Sequence, residues 1–253
     1  MSECNEQLLH DYFYQVKWEI AGDLSRDYRH LYSRGSLAVM GGSLGVAAAF
    51  ANTSIDEDFR SWLMRRELTE PNVDCWYDEL GSEYMVLATV ATLAISFTYR
   101  KQVDYDSQLA TMTETWAYRS SRAMLIGSGP VFVWQRVIGS SRPGESSAGS
   151  DWKPFDDENG VSSHAFIGAV PFLVAAKMSK RPVVKAAFVA GSGLAGYGQL
   201  CKDKHYLSQV IMGWTIACLS VEAATRTDND QYKYRLVPLD VRGFHGLGIE
   251  LRH

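Results

Sequence analysis

Six apolar stretches of helical length constrain what this chain can fold into. They run from Ser36 to Ala51, Met85 to Phe97, Ala123 to Trp134, Ala165 to Ala176, Val183 to Tyr197 and Tyr206 to Ala224. Apolar runs this long outlast an ordinary strand and read as helices. Most fall short of the roughly 20 residues that cross a bilayer. The last is long enough but carries Gln209 and Glu222, and several are built from Ala and Gly rather than Leu and Ile. They read as buried helices of a compact bundle, in a soluble or membrane-peripheral protein. The expected class is mainly α.

A chain of 253 residues has ample length for one helical domain with its own core. Its net charge of -4 supplies no broad basic surface of the kind nucleic acid needs. Cysteines at 4, 75, 201 and 218 lack the paired spacing of a structural zinc site. Met1 to Glu6 lack the basic-then-apolar order of a secretory signal, and neither the compartment nor its redox state follows from the sequence.

Residues 1–35 read as an amphipathic N-terminal helix and linker, with Leu8, Leu9, Tyr12, Phe13 and Val16 at helical spacing. Ser54 stands where it could cap a helix from Ile55 to Arg65, ahead of Asp56, Glu57 and Asp58. A further helix of mixed polarity is expected from about Ser107 to Arg119. The longest loop, rich in Ser, Gly, Pro and Asp, lies between Gly139 and Gly160. Loops of that length inside a compact domain are more often functional than idle. Over 235–253 the alternation of Leu247, Ile249 and Leu251 predicts a small terminal β-hairpin.

Two histidines sit in short polar patches that each open an apolar stretch: Gly160-Val161-Ser162-Ser163-His164-Ala165-Phe166 and Asp203-Lys204-His205-Tyr206-Leu207-Ser208. The start of a helix offers free backbone N–H groups and the positive end of its dipole, and so favours an anion. With Arg142-Pro143 upstream, these residues make a pocket for a phosphate-like oxyanion. Ser162 and Ser163 have an equally good structural role, since serine is a favoured N-cap.

Read in order, Ile138-Gly139-Ser140-Ser141-Arg142-Pro143, Val161-Ser162-Ser163-His164 and His205-Tyr206-Leu207-Ser208-Gln209 with Gly213 resemble the type 2 phosphatidic acid phosphatase superfamily. That superfamily also holds bacterial acid phosphatases and vanadium haloperoxidases. The resemblance covers roughly residues 134–224. The family signature is Lys, six residues, Arg-Pro; then Pro-Ser-Gly-His; then Ser-Arg, five residues, His, three residues, Asp. Here Gln135 stands at the lysine, with Arg136 beside it, and Val161 and Ser163 replace Pro and Gly. Gly198-Gln199 replace Ser-Arg, and Gln209 replaces Asp. Arg142, Ser162, His164 and His205 remain.

The resemblance implies a single domain, a compact helical bundle of the phosphatase/haloperoxidase type with a small C-terminal β-hairpin. It implies metal-independent hydrolysis of a phosphomonoester or diphosphate, lipid and isoprenoid esters among them. His205 would be the nucleophile that forms a phosphohistidine and His164 the general acid. Gln209, one helical turn after His205, would orient its ring. Arg142, Ser162, Ser163, Gln135, Arg136, Gln199 and Lys204 would line the phosphate site, with Lys204 or Lys153 best placed to replace the lost cations. No cofactor is implied, with vanadate a possible phosphate mimic; the partner is a phosphorylated or diphosphorylated small molecule. Three neutral residues at charged signature positions leave two alternatives open: an oxyanion- or lipid-binding pseudoenzyme, and a prenyl-diphosphate-processing enzyme on the same fold.

Overall fold

The computed structural model describes residues 20–65, 80–102, 108–145, 149–241 and 244–251. Among these the chain is mainly helical. Helix α1 is described over 20–31. It is followed by α2 (Arg34–Ala51), α3 (Ile55–Arg65), α4 (Glu83–Gln102) and α5 (Gln108–Ile138). Then come α6 (Ser163–Met178), α7 (Pro182–Gly191), α8 (Leu194–Cys201) and α9 (Leu207–Lys233). Beyond α9 the backbone runs as β1 (Tyr234–Val241) antiparallel to β2 (Phe244–Leu251), with Val241 opposite Phe244. The apolar positions expected between Leu8 and Val16 lie outside the described residues.

Helices α6 and α9 form the middle of the bundle. Helix α9 packs against α2, α5 and α6, while α6 also packs against α7 and α8, and α4 lies on α5. Their shared core includes Ile126, Phe166, Val170, Val174, Met212 and Ile216. Small residues let the backbones approach. A Cβ on Gly213 of α9 would run into the carbonyl of Ser162, and one on Gly127 of α5 would meet the Phe166 ring at 2.5 Å. The start of α6 is thereby pressed against α9.

Three sequence expectations need correction. The helix ending at Arg119 and the stretch beginning at Ala123 are one helix, α5, which continues through Pro130. Ser120, Ser121 and Arg122, between the two expected segments, are helical, and Arg122 finds its charge partners on other helices. Conversely, the stretch from Val183 to Tyr197 is two helices, since α7 ends at Gly191 and α8 starts at Leu194. Ser54 does not cap α3 through its hydroxyl, which instead donates to Asp58 at 2.7 Å.

The expected burial of the apolar helices also fails in part. Helix α2 buries only Ser36, Met40, Ala47 and Ala51, and α7 buries no residue at all. Several of their remaining apolar side chains, Leu37, Val39 and Val46 of α2 and Val183 of α7 among them, face outward.

One end of the bundle is closed by a buried ionic clasp. Arg122 of α5 donates to Asp27 of α1 at 2.6 and 2.8 Å and to Asp228 of α9 at 2.7 Å. Arg119 adds a bond to Asp228 at 2.6 Å, and the Tyr118 hydroxyl donates to Asp23 at 2.9 Å. Buried pairs of this kind contribute little net stability but are expensive to break from one side. At 1.5 Å per residue the clasp lies about 20 Å along α5 from Gln135, so it and the histidines occupy opposite ends.

Candidate functional site

The turn that delivers His205 to the start of α9 is held from α3. Asp203 adopts the left-handed conformation at φ 52°. Both its carboxylate oxygens accept from Arg60, Nε and Nη2 each at 2.7 Å. The Tyr206 hydroxyl donates to Glu57 at 2.6 Å. Asp56 accepts from the Ser208 backbone N–H at 3.0 Å and from the Ser208 hydroxyl at 2.5 Å. Asp56 therefore caps α9 from another helix, satisfying an N–H that has no partner within α9. Burial pushes its carboxyl pKa up, while the two bonds from Ser208 pull it back down.

His205 is buried beside Gln209, and its Nδ1 stands 2.8 Å from the Gln209 Oε1. The orientation of that amide is fixed by its other partners. Gln209 Nε2 lies 2.8 Å from the Ser141 carbonyl, which can only accept, and 3.0 Å from the Ser140 hydroxyl. Gln209 Oε1 also takes the Tyr206 backbone N–H, a pure donor, at 3.0 Å. The oxygen must face the histidine, so His205 Nδ1 carries the proton and donates it to Gln209. The lone pair then resides on Nε2.

Gln209 also joins the three sequence segments. Its side chain ties Ser140-Ser141, next to Arg142, to His205, and its backbone carbonyl accepts from the Ser162 N–H at 3.0 Å. Ser162 is the N-cap of α6, its hydroxyl accepting from Ala165 N at 3.3 Å. His164 follows in the first turn of α6, where Gly81 presses on its backbone; a Cβ there would lie 2.5 Å from the His164 carbonyl oxygen.

Arg142, His164 and Lys204 come close enough to act electrostatically on the His205 ring. Burial is the larger influence and lowers the His205 pKa to about 4; the bond to Gln209 opposes it, and the three neighbours add to it. The ring is therefore a neutral base at ordinary pH.

Other residues singled out from the sequence have different engagements. Gln135 Nε2 donates to the Val161 carbonyl at 2.9 Å, and Gln135 O accepts from the N–H of Gly160, so Gln135 splices the end of α5 to the start of α6. Arg136 is turned toward Glu158 at 2.5 Å, with its guanidinium 3.9 Å from the centre of the Phe132 ring. Gln199 is buried in α8 and its carbonyl accepts from the Lys204 N–H at 2.9 Å. Ser163 is half-buried in the first turn of α6. Arg142 is exposed, its Nε donating to Asn159 at 2.9 Å.

The long loop closes over this region through Gly139, whose φ is 63° and whose Cβ would collide with the Lys153 carbonyl. Glycine is the residue that permits both the left-handed turn and the approach.

Arg60 and Asn159 support the site without being marked by the sequence, where Asp56, Glu57 and Ser140 are named without a role in it. The acidic run stands there only as following the expected Ser54 cap of its own helix, not as a clamp on α9.

Comparison with protein-family models, curated proteins and solved structures finds no match to this chain. Among the described residues no group of three or more His, Cys, Asp or Glu is arranged to hold a metal ion.

Proposed function

We propose that this protein is a phosphoryl-transfer hydrolase of the type 2 phosphatidic acid phosphatase kind, acting on a phosphomonoester or diphosphate. The supporting observation is the Gln209 junction: the bond from Nδ1 to Gln209 leaves the Nε2 lone pair of His205 free, on a ring that burial keeps neutral near Arg142 and His164. In this reading Nε2 attacks phosphorus and the bond from phosphorus to the leaving oxygen breaks. That oxygen takes a proton from His164. Water, deprotonated by His164, then attacks the phosphohistidine and the P–N bond breaks, returning His205 to its neutral form. Arg142, Lys204 and the N–H groups at the start of α6 balance the charge on the phosphoryl oxygens.

The phosphatase-type bundle and the terminal hairpin as a family element are parts of the same proposal. The chemistry runs on protein groups without a cofactor, with vanadate as a mimic of the phosphoryl group. Lipid and isoprenoid phosphates are candidate substrates.

The reading is tested by phosphate release from an aryl phosphate and from a prenyl diphosphate. Metal-independent release that disappears in His205→Ala, together with an acid-labile phosphoenzyme, supports it. Turnover that persists in His205→Ala removes His205 as nucleophile. A second reading, an oxyanion-binding protein without turnover, draws on one observation: Gln135, at the family's lysine position, spends its amide on the Val161 carbonyl. Vanadate binding with no phosphate release favours that reading.

A further inference from the structure

We propose that the outward faces of α2, α4 and α5 are a lipid-facing belt, and that the bundle sits in a bilayer with its histidine site at one rim. This inference does not rest on the phosphoryl-transfer reading.

The first observation is a shared gap in charge. No Asp, Glu, Lys or Arg occurs between Arg34 and Asp56, Glu83 and Arg100, Arg122 and Arg136, His164 and Lys177, or His205 and Glu222. At 1.5 Å per residue the helical parts of these windows span roughly 20–27 Å. That approaches the ~30 Å hydrocarbon core of a bilayer. At one end the windows of α6 and α9 close on the same ion pair, Lys177 with Glu222 at 2.5 Å, and at the other those of α5, α6 and α9 meet around Gln135, Ser162 and Gln209.

The second observation is where the apolar side chains point. Val39 and Val46 of α2, Leu87 and Ile95 of α4, and Leu125 and Phe132 of α5 are 47–66 % exposed. Isolated exposed apolar residues are ordinary, but contiguous faces on several helices are not. A second copy of the chain would cover one side. These faces lie on different sides of the central pair, α2 against α9 and α4 beyond α5.

Thirdly, hydroxyls inside the windows bond to their own helix. Thr92 donates to the Ala88 carbonyl at 2.7 Å, Ser96 to Thr92 at 2.8 Å and Ser128 to Leu125 at 2.7 Å. Such groups need no water, as a hydrocarbon setting requires. Aromatic side chains stand toward the rims, with Tyr84 at the first turn of α4 and the stacked pair Tyr28 and Tyr32 beside the start of α2. Tyrosine is favoured at the headgroup level. By length and hydropathy, α2 and α9 also qualify as bilayer-crossing helices.

The experiment uses the full chain expressed in cells and reconstituted in phosphatidylcholine/phosphatidylglycerol vesicles. Wild-type protein should pellet with membranes, resist an alkaline wash and need detergent for release. With the native cysteines replaced, nitroxide labels at Val46 and Val90 should collide severalfold more with oxygen than with a water-soluble nickel chelate. A label at Asp151 should show the reverse. Val46→Lys with Val90→Lys should sharply lower the membrane-bound fraction. The proposal is overturned if the wild type is monodisperse in detergent-free supernatant, or if the belt labels meet nickel as freely as the Asp151 label. Strong label-to-label broadening in a soluble assembly would assign the faces to copies of the chain, and so also overturn it.

Discussion

The amide oxygen of Gln209 lies 2.8 Å from Nδ1 of His205 while the amide nitrogen is held by Ser141 O and Ser140 Oγ. A carboxylate in the same place, which Gln209→Glu supplies at unchanged side-chain length, would keep the histidine bond but face the Ser141 carbonyl with oxygen instead of N–H. Gln209→Glu is therefore expected to raise the His205 pKa from about 4 while leaving Ser141 O only the Ser140 hydroxyl at 3.4 Å. Weakening the hydrogen bonding of a buried carbonyl costs about 1–3 kcal/mol. Histidine NMR titration and thermal unfolding of the variant measure the two effects separately. If the carboxylate strengthens the site, phosphate release rises at neutral pH despite the lower stability.

The buried neutral His205 makes stability depend on pH with a definite sign. Its folded pKa of about 4 lies below its ordinary 6.5, so the unfolded chain binds a proton first as pH falls. Stability from this group is complete above about pH 6.5 and declines as pH drops toward 4, by roughly 3 kcal/mol in all. His205→Asn removes the titration while keeping a donor toward Gln209. Unfolding between pH 7 and 4 should fall less steeply for this variant than for wild type. Parallel curves would mean that the ring is not neutral in the folded protein.

Much of the site was legible because its chemistry travels in local motifs. Ser162 sits at an N-cap, and Gln209 is one turn from His205, as local helix rules require. The partners that fix those motifs are distant in sequence and carry no local mark. Asp56 lies 152 residues from Ser208 and Ser140 lies 69 from Gln209. The same holds for the fold. Arg119 and Arg122 read as an interruption because a sequence shows their charge but not Asp27 and Asp228, which absorb it. The break between α7 and α8 hid inside an unbroken apolar run. The half-exposed faces of α2 and α4 were misread as buried because composition does not say which side of an apolar helix meets protein.

Asp56 is expected to matter for the site through position rather than contact. Asp56→Ala removes the acceptor for both Ser208 N and Ser208 Oγ at the start of α9. Loss of a capping side chain costs about 0.5–2 kcal/mol, and burial places this case toward the upper part of that range. Asp56→Asn keeps one acceptor oxygen and should recover part of the loss. If the turn carrying His205 depends on this cap, phosphate release falls in Asp56→Ala at temperatures where the protein remains folded. Release equal to wild type would show that Arg60 and Glu57 hold the turn by themselves.

The clasp at the far end should separate stability from activity. Arg122→Ala leaves Asp27 and Asp228 buried with their principal cation gone, which costs about 3–5 kcal/mol. Arg122→Lys restores charge but cannot reproduce the forked contact to Asp27 at 2.6 and 2.8 Å, so it should recover only part of the loss. Replacing Arg122 and Asp27 together by Met and Leu removes that buried pair while Asp228 keeps Arg119, and should be markedly less harmful than Arg122→Ala. Unfolding midpoints across these three variants give the order. Phosphate release per folded molecule should remain near wild type in all of them, because the helices between the two ends are packed and the clasp touches none of Arg142, His164 or His205. A loss of release that tracks the loss of midpoint would mean instead that α5 and α9 transmit the clasp to the Gln209 junction.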